Sequence, residues 1–116
     1  MAPTTMIGQR TSTSPYGRDK SKDGHPFRMS ELLSQLEGVA YSARVALNSP
    51  KNVLQAKKVI KTAFQYQVEK KGFSFVEVLA ACPTNWGMNA LAANERVGKE
   101  MIPYFQLGVH KNTAQI

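Results

Sequence analysis

The stretch Gly72-Phe-Ser-Phe-Val-Glu-Val-Leu79, which runs directly into Ala80-Ala-Cys-Pro-Thr-Asn-Trp-Gly-Met88, decides the fold of this chain. Positions 73–79 are rich in β-branched and aromatic residues, and apolar side chains fall on both faces. This pattern is typical of a buried strand in a parallel sheet that helices cover on both sides. Ligands of open α/β sheets bind beyond the carboxyl ends of the strands. The loop 82–88 is therefore predicted to lie in a functional crevice.

Regular patterns begin upstream of this strand at Ser30. Ser30 is predicted to cap a short helix, with Gly38 as a left-handed terminator after it. In the segment 39–47 the odd positions are apolar or aromatic, and a period of two predicts a second strand.

Two longer helices flank the strand 73–79. Ser49 and Pro50 provide an N-cap and a first-turn proline for a helix with apolar residues at helical spacing. The segment 70–72, two lysines followed by glycine, is predicted to close it. A last helix is predicted over 89–102, with Pro103 ending it.

The predicted order is helix, strand, helix, strand, helix, with two parallel strands. Two strands do not make a sheet that is stable alone. Burial of the large apolar side chains in 73–79 contributes on the order of 10 kcal/mol. Ordering the backbone of this segment costs about the same, at roughly 1–2 kcal/mol per residue. Further strands are therefore expected, either upstream in a longer chain or in a partner.

Composition narrows the class of protein. The 116 residues carry a formal net charge of +7 and a single cysteine. Residues 1–28 contribute +3, residues 29–71 contribute +4 and residues 72–116 contribute zero. One cysteine cannot form an internal disulfide, an iron–sulfur cluster or a structural zinc site, and this favours a reducing compartment such as the cytoplasm. No apolar span reaches the 18 residues of a membrane helix.

Residues 1–28 form a separate part of the sequence. They hold three of the six prolines and no periodic apolar pattern, which predicts a long loop or an extended arm. The basic residues of this arm also allow a rival hypothesis, a small nucleic-acid-binding module with two aromatic stacking surfaces. Its residues would be Arg10, Arg18, Lys20, Lys22 and Arg28 with Tyr16 and Phe27. This hypothesis leaves the neutral segment 72–116 unexplained.

The segment 72–88 resembles the C-terminal signature of the β subunits of 2-oxoacid:ferredoxin oxidoreductases, which are thiamine-diphosphate enzymes. Three further segments are similar to the same family: Met1-Ala-Pro-Thr-Thr5, Thr13-Ser-Pro-Tyr-Gly17 and Met101-Ile-Pro-Tyr-Phe-Gln-Leu-Gly-Val-His-Lys111. The resemblance covers essentially the whole chain. The loop after the CPTNWG string looks most like the 2-oxoisovalerate type.

The resemblance implies a fold and an activity. The fold would be the C-terminal part of a parallel-sheet thiamine-diphosphate-binding domain, α-β-α-β-α, with 1–28 as a loop or arm beside the cofactor and 29–116 as the C-terminal half of the domain. The activity would be oxidative decarboxylation of a 2-oxoacid to acyl-CoA, with electrons passed to ferredoxin.

The resemblance also implies site residues. Pro3, Thr4 and Thr5 match positions near the cofactor diphosphate. An active-site loop or inter-subunit surface would comprise Cys82, Pro83, Thr84, Asn85 and Trp86. No residue is assigned a catalytic role, and none is assigned to a metal.

The family motif Gly-Asp-Gly and the later asparagine that hold Mg²⁺ and the diphosphate have no counterpart in this sequence. They would lie upstream of Met1, so the chain is expected to be a part of a β subunit that is inactive and poorly structured alone. The implied partners are the upstream part of the β subunit, α and γ/δ-type subunits, ferredoxin, the 2-oxoacid and coenzyme A. Iron–sulfur clusters would lie on partner subunits or upstream, and neither a membrane nor a nucleic acid is expected.

Several residues allow two interpretations. The chemistry of Thr4 and Thr5 suits soluble loop residues equally well, and Trp86 suits ordinary packing. Cys82 suits either an approach to coenzyme A or a cluster, or a buried inert thiol. Arg44 either meets a carboxylate or phosphate ligand or pairs with Glu77, whose expected role is a structural ion pair. His25 and His110 lie in loop and tail segments with no second ligand at metal spacing, so they are assigned no chemistry.

Overall fold

The structure is a computed structural model that describes residues 1–113, so the last three residues of the predicted second part lie outside it. Six α-helical segments, one π-helical turn and three strands follow one another along the chain. The bounds are α1 Lys20–Asp23, α2 Met29–Ser34, β1 Val39–Ala46, α3 Pro50–Val68, β2 Phe73–Leu79, α4 Pro83–Trp86, α5 Ala90–Arg96, the π-turn Val97–Met101, α6 Ile102–Tyr104 and β3 Gly108–Asn112.

The three strands form one sheet in the order β2-β1-β3. β1 and β2 run parallel, with Val39 opposite Phe73 and Ala46 opposite Leu79. This parallel pair joined by a helix confirms the predicted α/β class. β3 was not predicted, and it pairs antiparallel to the other edge of β1.

The burial of the two predicted strands is the reverse of what the sequence predicts. All eight residues of β1 are buried, whereas β2 is buried only at Leu79 and has Phe73 53% exposed. The prediction of a fully covered β2 is therefore wrong for this chain, because β2 is an edge strand and lacks a second neighbour among the described residues. Apolar and polar residues alternate along β1 because its two buried faces have different chemistry. Neither face is open to solvent.

The core lies in two clusters on opposite faces of the sheet. One cluster joins Tyr41 and Ala43 of β1 to the apolar face of α3, where the rings of Tyr41 and Tyr66 meet edge to face at 5.3 Å. The other joins Ala46 and Leu79, at the carboxyl ends of the parallel strands, to the helical segments that follow α4. This second cluster packs the end of the sheet at which the sequence predicts a functional crevice.

The short helix α2 differs from its prediction at both ends. Its N-cap is Arg28, and Ser30 lies inside the helix with a fully buried hydroxyl that bonds to Ser42 at 3.0 Å. Ser30 therefore serves a tertiary contact instead of capping. Gly38 is not left-handed, since helix α2 has already ended at Ser34 and Gln35 caps it.

The start of α3 is as predicted and its end is not. The Ser49 side chain accepts from the Asn52 N–H, and Pro50 occupies the first turn. At the other end the left-handed residue is Lys70, with φ of 56°, and not a glycine. The N–H groups of Lys70 and Lys71 donate to the Gln67 and Tyr66 carbonyls, which forms a Schellman motif.

Gly72 has a different task from helix termination. Its φ is 130°, and a Cβ at this position would lie 3.1 Å from the Gly38 carbonyl oxygen and 3.2 Å from the Ala40 Cβ. Glycine is thus required where β2 enters the sheet beside β1.

The last helical region continues past the predicted stop. Asn89 caps α5 as expected, but Pro103 lies inside the final turn, α6. Because Pro103 has no N–H to donate, the ladder can widen before it. The Ile102 N–H reaches back five residues to the Val97 carbonyl, and the π-turn Val97–Met101 results. None of the helices within residues 1–113 is long and apolar enough to cross a membrane.

Candidate functional site

A cleft of about 370 Å³ opens where β2 ends, between the arm 1–28 and the loop after the strand. Its position beyond a carboxyl strand end agrees with the prediction for loop 82–88. The lining residues come from three parts of the chain, namely Ala2, Thr4, Thr5, Thr11 and Thr13 from the arm, Glu77 to Ala80 from β2 and its end, and Cys82, Asn85, Trp86 and Met101.

Arg18 folds the arm into position. Its side chain is buried, and its guanidinium donates to six backbone carbonyls, three in residues 2–5 and three in residues 23–25. The distances run from 2.9 Å to the Gly24 and His25 oxygens to 3.4 Å to the Asp23 oxygen. A planar guanidinium with five N–H groups suits this convergence of carbonyls. The arm is thus an ordered wall of the cleft and not a free extension.

The opposite wall is a single helical turn. Cys82 precedes α4 and accepts at its carbonyl from the Trp86 N–H at 3.0 Å, while Gly87 ends the turn in a left-handed conformation. Asn85 on this turn holds the arm, because Ser12 donates from its backbone N–H to the Asn85 carbonyl and from its hydroxyl to the Asn85 side-chain oxygen. The arm and the loop are therefore connected directly across the cleft.

The structure brings together most of the residues that the resemblance singled out. Thr4 and Thr5 face the same cleft as Cys82, Asn85 and Trp86. Pro3, Pro83 and Thr84 do not line it. The Pro3 carbonyl bonds to the Phe27 N–H and to Arg18, while Pro83 and Thr84 shape the α4 turn. The assignment of all eight residues to a functional site stays a prediction.

Several residues of the cleft wall were not assigned to the site from the sequence, and Thr11, Thr13 and Met101 are the ones that lie far from the predicted site segments. The hydroxyls of Thr11 and Thr13 lie 3.3 Å apart, so this part of the wall is rich in hydroxyl groups. The only signal in the sequence is the density of Ser and Thr in residues 11–14, which by itself indicates a loop. Met101 reaches the cleft from the π-turn, and Pro103, which allows that turn, does not by itself indicate a cleft residue.

A buried ion-pair network supports the cleft from beneath. Arg44 is fully buried on the sheet face that α2 covers. Its Nη1 and Nη2 donate to the two Glu31 carboxylate oxygens at 2.6 and 2.7 Å, and its Nε donates to Glu77 at 2.8 Å. The predicted Arg44–Glu77 pair is therefore confirmed, and Glu31 is a second acid that was not predicted.

The charges of this network are mutually stabilised. Burial works against the charged guanidinium, but the hydrogen bonds that Arg44 donates to Glu31 and Glu77 outweigh it and raise the pKa of Arg44. The hydrogen bond from Arg44 lowers the pKa of Glu31. Glu77 also lines the cleft, and it is the only charged residue on the described wall. Arg44 is thus committed to carboxylates inside the protein and is not a free cation for a ligand.

His110 lies in β3 and not in a tail, which corrects its predicted context. Its Nδ1 lies 2.6 Å from the Ser30 hydroxyl, and its Nε2 lies 3.4 Å from Glu31. The ring therefore extends the Arg44 network to the third strand. This placement gives His110 a structural connection and no contact with the cleft.

The basic-module hypothesis is not supported by the arm. Arg18 is buried among carbonyls, so it cannot contact a phosphate backbone. Arg28 stacks on Tyr104, 4.1 Å from the ring centroid, and its Nε donates to the Tyr104 carbonyl. Two of the five proposed basic contacts are therefore occupied within the protein.

The cleft fits a thiamine diphosphate cofactor in part. Hydroxyl groups of Thr4, Thr11 and Thr13 and the amide of Asn85 suit phosphate oxygens. In the described part of the chain, no group of three His, Cys, Asp or Glu side chains can hold a metal ion. The residues present thus offer hydroxyl and amide donors for an anionic group but no site for its Mg²⁺.

The fold and the cleft define the class of molecule: part of an α/β domain with a site at the carboxyl end of two parallel strands. No family model matches the chain, and no solved structure matches it.

Curated relatives are more informative. Over 101 residues the chain is 45% identical to the ketoisovalerate oxidoreductase subunit VorA of Methanothermobacter marburgensis, which covers 87% of this chain and 21% of the relative. It is 38% identical over 85 residues to the 2-oxoglutarate synthase subunit KorB of Archaeoglobus fulgidus, covering 73% of the chain and 27% of the relative. It is also 24% identical over 86 residues to the pyruvate synthase subunit PorB of Methanothermobacter thermautotrophicus, covering 74% and 27%.

These matches confirm the resemblance: the chain is similar to part of a 2-oxoacid:ferredoxin oxidoreductase subunit. It spans only about a fifth of the length of the ketoisovalerate relatives.

Proposed function

We propose that this chain contributes part of a subunit to a 2-oxoacid:ferredoxin oxidoreductase, which converts a 2-oxoacid to acyl-CoA and carbon dioxide and passes the electrons to ferredoxin. The observation that carries the proposal is the cleft. At the carboxyl end of the parallel strands it brings Thr4 and Thr5 together with Cys82 and Asn85, although these two pairs lie about eighty positions apart in the sequence. The 45% identity to a ketoisovalerate oxidoreductase subunit supports the same conclusion.

Thiamine diphosphate would supply the carbon nucleophile and the electron sink for decarboxylation. The role proposed for this chain is to bind and orient the cofactor. The hydroxyl groups on the arm and the Asn85 amide would hold the diphosphate end, and Mg²⁺ ligands would come from another part of the assembly. Met101, Leu79 and Trp86 supply the apolar part of the wall, which limits access of water.

Cys82 is proposed as a wall residue near coenzyme A and not as a nucleophile. It is partly exposed in the cleft, and its neighbours there are threonines, Glu77 and apolar groups. No cation that would stabilise a thiolate lines the described wall. Iron–sulfur clusters are proposed on companion subunits, with ferredoxin as the electron acceptor.

A branched-chain 2-oxoacid is the proposed substrate. Two ketoisovalerate oxidoreductase subunits are 45% and 44% identical to this chain over 87% of its length, which supports a branched-chain substrate.

The test is reconstitution. The chain is co-expressed with the polypeptides encoded beside its gene, and coenzyme A-dependent reduction of ferredoxin is measured with 2-oxoisovalerate, pyruvate and 2-oxoglutarate. The proposal expects reduction with 2-oxoisovalerate at the highest kcat/KM and no reduction by the chain alone. An assembled complex that carries thiamine diphosphate and reduces ferredoxin with none of the three acids would overturn it.

Asn85→Ala provides the variant that tests the cleft, because it removes an amide from the wall and the bond to Ser12. We expect a loss of about 10- to 100-fold in kcat/KM, in the range for a displaced binding group. Lys58→Ala on the exposed side of α3 is the matched control and should retain full activity.

A further inference from the structure

We propose that the open edge of β2 is a docking surface for a β-strand of a companion polypeptide, which carries an acid-bearing helix beside α3. The companion would be the remainder of the subunit, so the identity of the partner rests on the proposed function. The docking itself does not depend on any reaction.

The backbone of β2 presents free hydrogen-bonding groups at this edge. The Phe73 N–H donates to the Gly38 carbonyl, and the Leu79 carbonyl accepts from the Leu47 N–H, so the odd-numbered residues of β2 face β1. Successive residues of a strand direct these groups to alternate sides. The N–H and C=O groups of Ser74, Val76 and Val78 therefore point away from β1, where the described chain supplies no neighbouring strand.

Apolar side chains are exposed on both faces beside the same edge. On the α3 side, Phe64 is 69% exposed and Val68 is 82% exposed. On the α2 side, Leu32, Leu36 and Phe73 are each more than half exposed. A long, apolar, uncovered edge strand is a pairing template that monomers normally protect with charges or prolines. β2 contains no proline, and its one charged residue, Glu77, is paired with Arg44 inside the protein, which favours a surface built to be covered.

A groove runs between α3 and the edge and has a volume of about 320 Å³. We call it the edge groove, and its lining residues are Ile60, Ala63, Phe64, Gln67, Ser74, Val76 and Val78. The Ser74 hydroxyl is buried within this groove and has no hydrogen-bond partner among residues 1–113. An unsatisfied buried hydroxyl is unfavourable, so a hydrogen-bonding group from the incoming polypeptide would stabilise the complex.

The positive charge of α3 favours a companion polypeptide over a second copy of this chain as the occupant of the β2 edge. Helix α3 contains four lysines and no acidic residue. Twofold pairing of two β2 edges would place two such helices side by side on one face, and like charges would repel. A partner helix that bears Asp or Glu would instead be attracted to Lys57 and Lys61. The length of the relatives, of which this chain spans about a fifth, leaves ample polypeptide to supply such a strand and helix.

The experiment combines this full chain with a polypeptide made of the Methanothermobacter marburgensis ketoisovalerate oxidoreductase subunit outside the 101-residue match. Hydrogen exchange is measured residue by residue in the complex. The proposal expects the amides of Ser74, Val76 and Val78 to exchange at least about ten-fold more slowly than in the lone chain. Where the lone chain does not fold, the comparison is made inside the complex: these three amides must be as protected as those of Phe75 and Glu77.

Two matched variants test the edge groove. Phe64→Ser removes an exposed ring from the groove, and Leu54→Ser removes a similarly exposed residue, 61% against 69%, from the other end of α3. The proposal expects Phe64→Ser to weaken the complex by about ten-fold or more and Leu54→Ser to change it less than about two-fold.

Equal effects of the two variants, or rapid exchange at residues 74, 76 and 78 in the complex, would overturn the proposal. Protection of these amides in a homodimer of the lone chain would overturn it in favour of a second copy. None of these readouts uses enzyme activity, so failure of the docking model is distinguishable from failure of the proposed reaction.

Discussion

Arg44 and Arg18 hold most of the polar interior of this small chain in place. Arg44 joins α2 to both parallel strands through Glu31 and Glu77, and it also donates to the Gln106 carbonyl at 3.0 Å. Arg18 joins two turns of the arm through backbone carbonyls. Each guanidinium satisfies buried acceptors that apolar packing could not, so each is a site where a single substitution has a structural effect.

Arg44→Met is expected to destabilise the chain by about 3–5 kcal/mol, because it leaves Glu31 and Glu77 without their buried counter-ion. Urea unfolding of wild type and variant measures the difference. Arg44→Lys keeps the charge but not the planar fork, so it should recover only part of the loss. A Lys variant as stable as wild type would show that geometry contributes nothing at this position.

Glu31 predicts a pH dependence with a definite sign. Arg44 lowers the pKa of Glu31 in the folded chain below its ordinary value of 4.5. The pair therefore stabilises the fold fully above that value, and the contribution is lost as the pH falls through the lowered pKa. The stability difference between wild type and Glu31→Gln should shrink between about pH 5 and pH 3. A difference that stays constant over this range would contradict the lowered pKa.

Arg18→Met is expected to release the arm while leaving the sheet folded, since all six of its hydrogen bonds lie within residues 2–25. Limited digestion with chymotrypsin should cut at Tyr16 at least about ten-fold faster in the variant. Arg10→Met is the control, because Arg10 has no described partner and its loss should leave the rate unchanged. If both variants are cut at the same rate, Arg18 does not hold the arm.

At the level of elements, helix α3 ends in a way that offers a stabilising change. Lys70 holds φ of 56°, where a side chain is strained and glycine is not. Lys70→Gly should therefore raise the free energy of unfolding by about 1 kcal/mol. Glu69→Gly, one residue earlier and with helical φ of −80°, should lower it by a similar amount. Thermal unfolding of the two variants measures both changes in stability. If both variants change the stability in the same direction, Lys70 is not the strained residue of this helix end.

The elements also show what the sequence could and could not predict. Strand β2 and the start of α3 follow from local signals, a dense apolar run and a Ser-Pro cap. Strand β3 does not, because Gly108 to Asn112 is mostly polar and becomes a strand only by pairing with β1. Burial of Ser42 and Arg44 depends on Ser30 and Glu31 arriving from α2, which is a tertiary event.

The candidate site was predictable to a similar degree. Loop 82–86 could be placed beyond a strand end by topology, and Thr4 and Thr5 by resemblance. Their meeting across one cleft depends on the Ser12 bond to Asn85 and on Arg18 folding the arm, and neither contact has a local sequence signal. The identity of the edge strand likewise depends on which neighbours the sheet acquires, which a single sequence does not encode locally.

At the scale of the whole molecule, the site and the sheet share one property: among the described residues, each lacks groups that the proposed function requires. The cleft has hydroxyls and an amide but no metal ligands, and the sheet has a backbone edge without a neighbour. Both openings lie along β2, one at its end and one at its side. Assembly and cofactor binding should therefore be coupled, since the polypeptide that covers the edge would also be positioned beside the cleft.

This coupling predicts that thiamine diphosphate with Mg²⁺ stabilises the reconstituted complex but not the lone chain. A ligand at 100 times its dissociation constant adds about 2.7 kcal/mol to a folded state that binds it, and nothing to a state that does not. Thermal unfolding of complex and lone chain, each with and without the cofactor, measures both. Thiamine without the diphosphate is the control and should have little effect on either, because the proposed contacts of Thr4, Thr11 and Asn85 are to phosphate oxygens. Equal stabilisation of the lone chain by the cofactor would mean that the described residues bind it without a companion, and the coupling of the edge to the cleft would then be wrong.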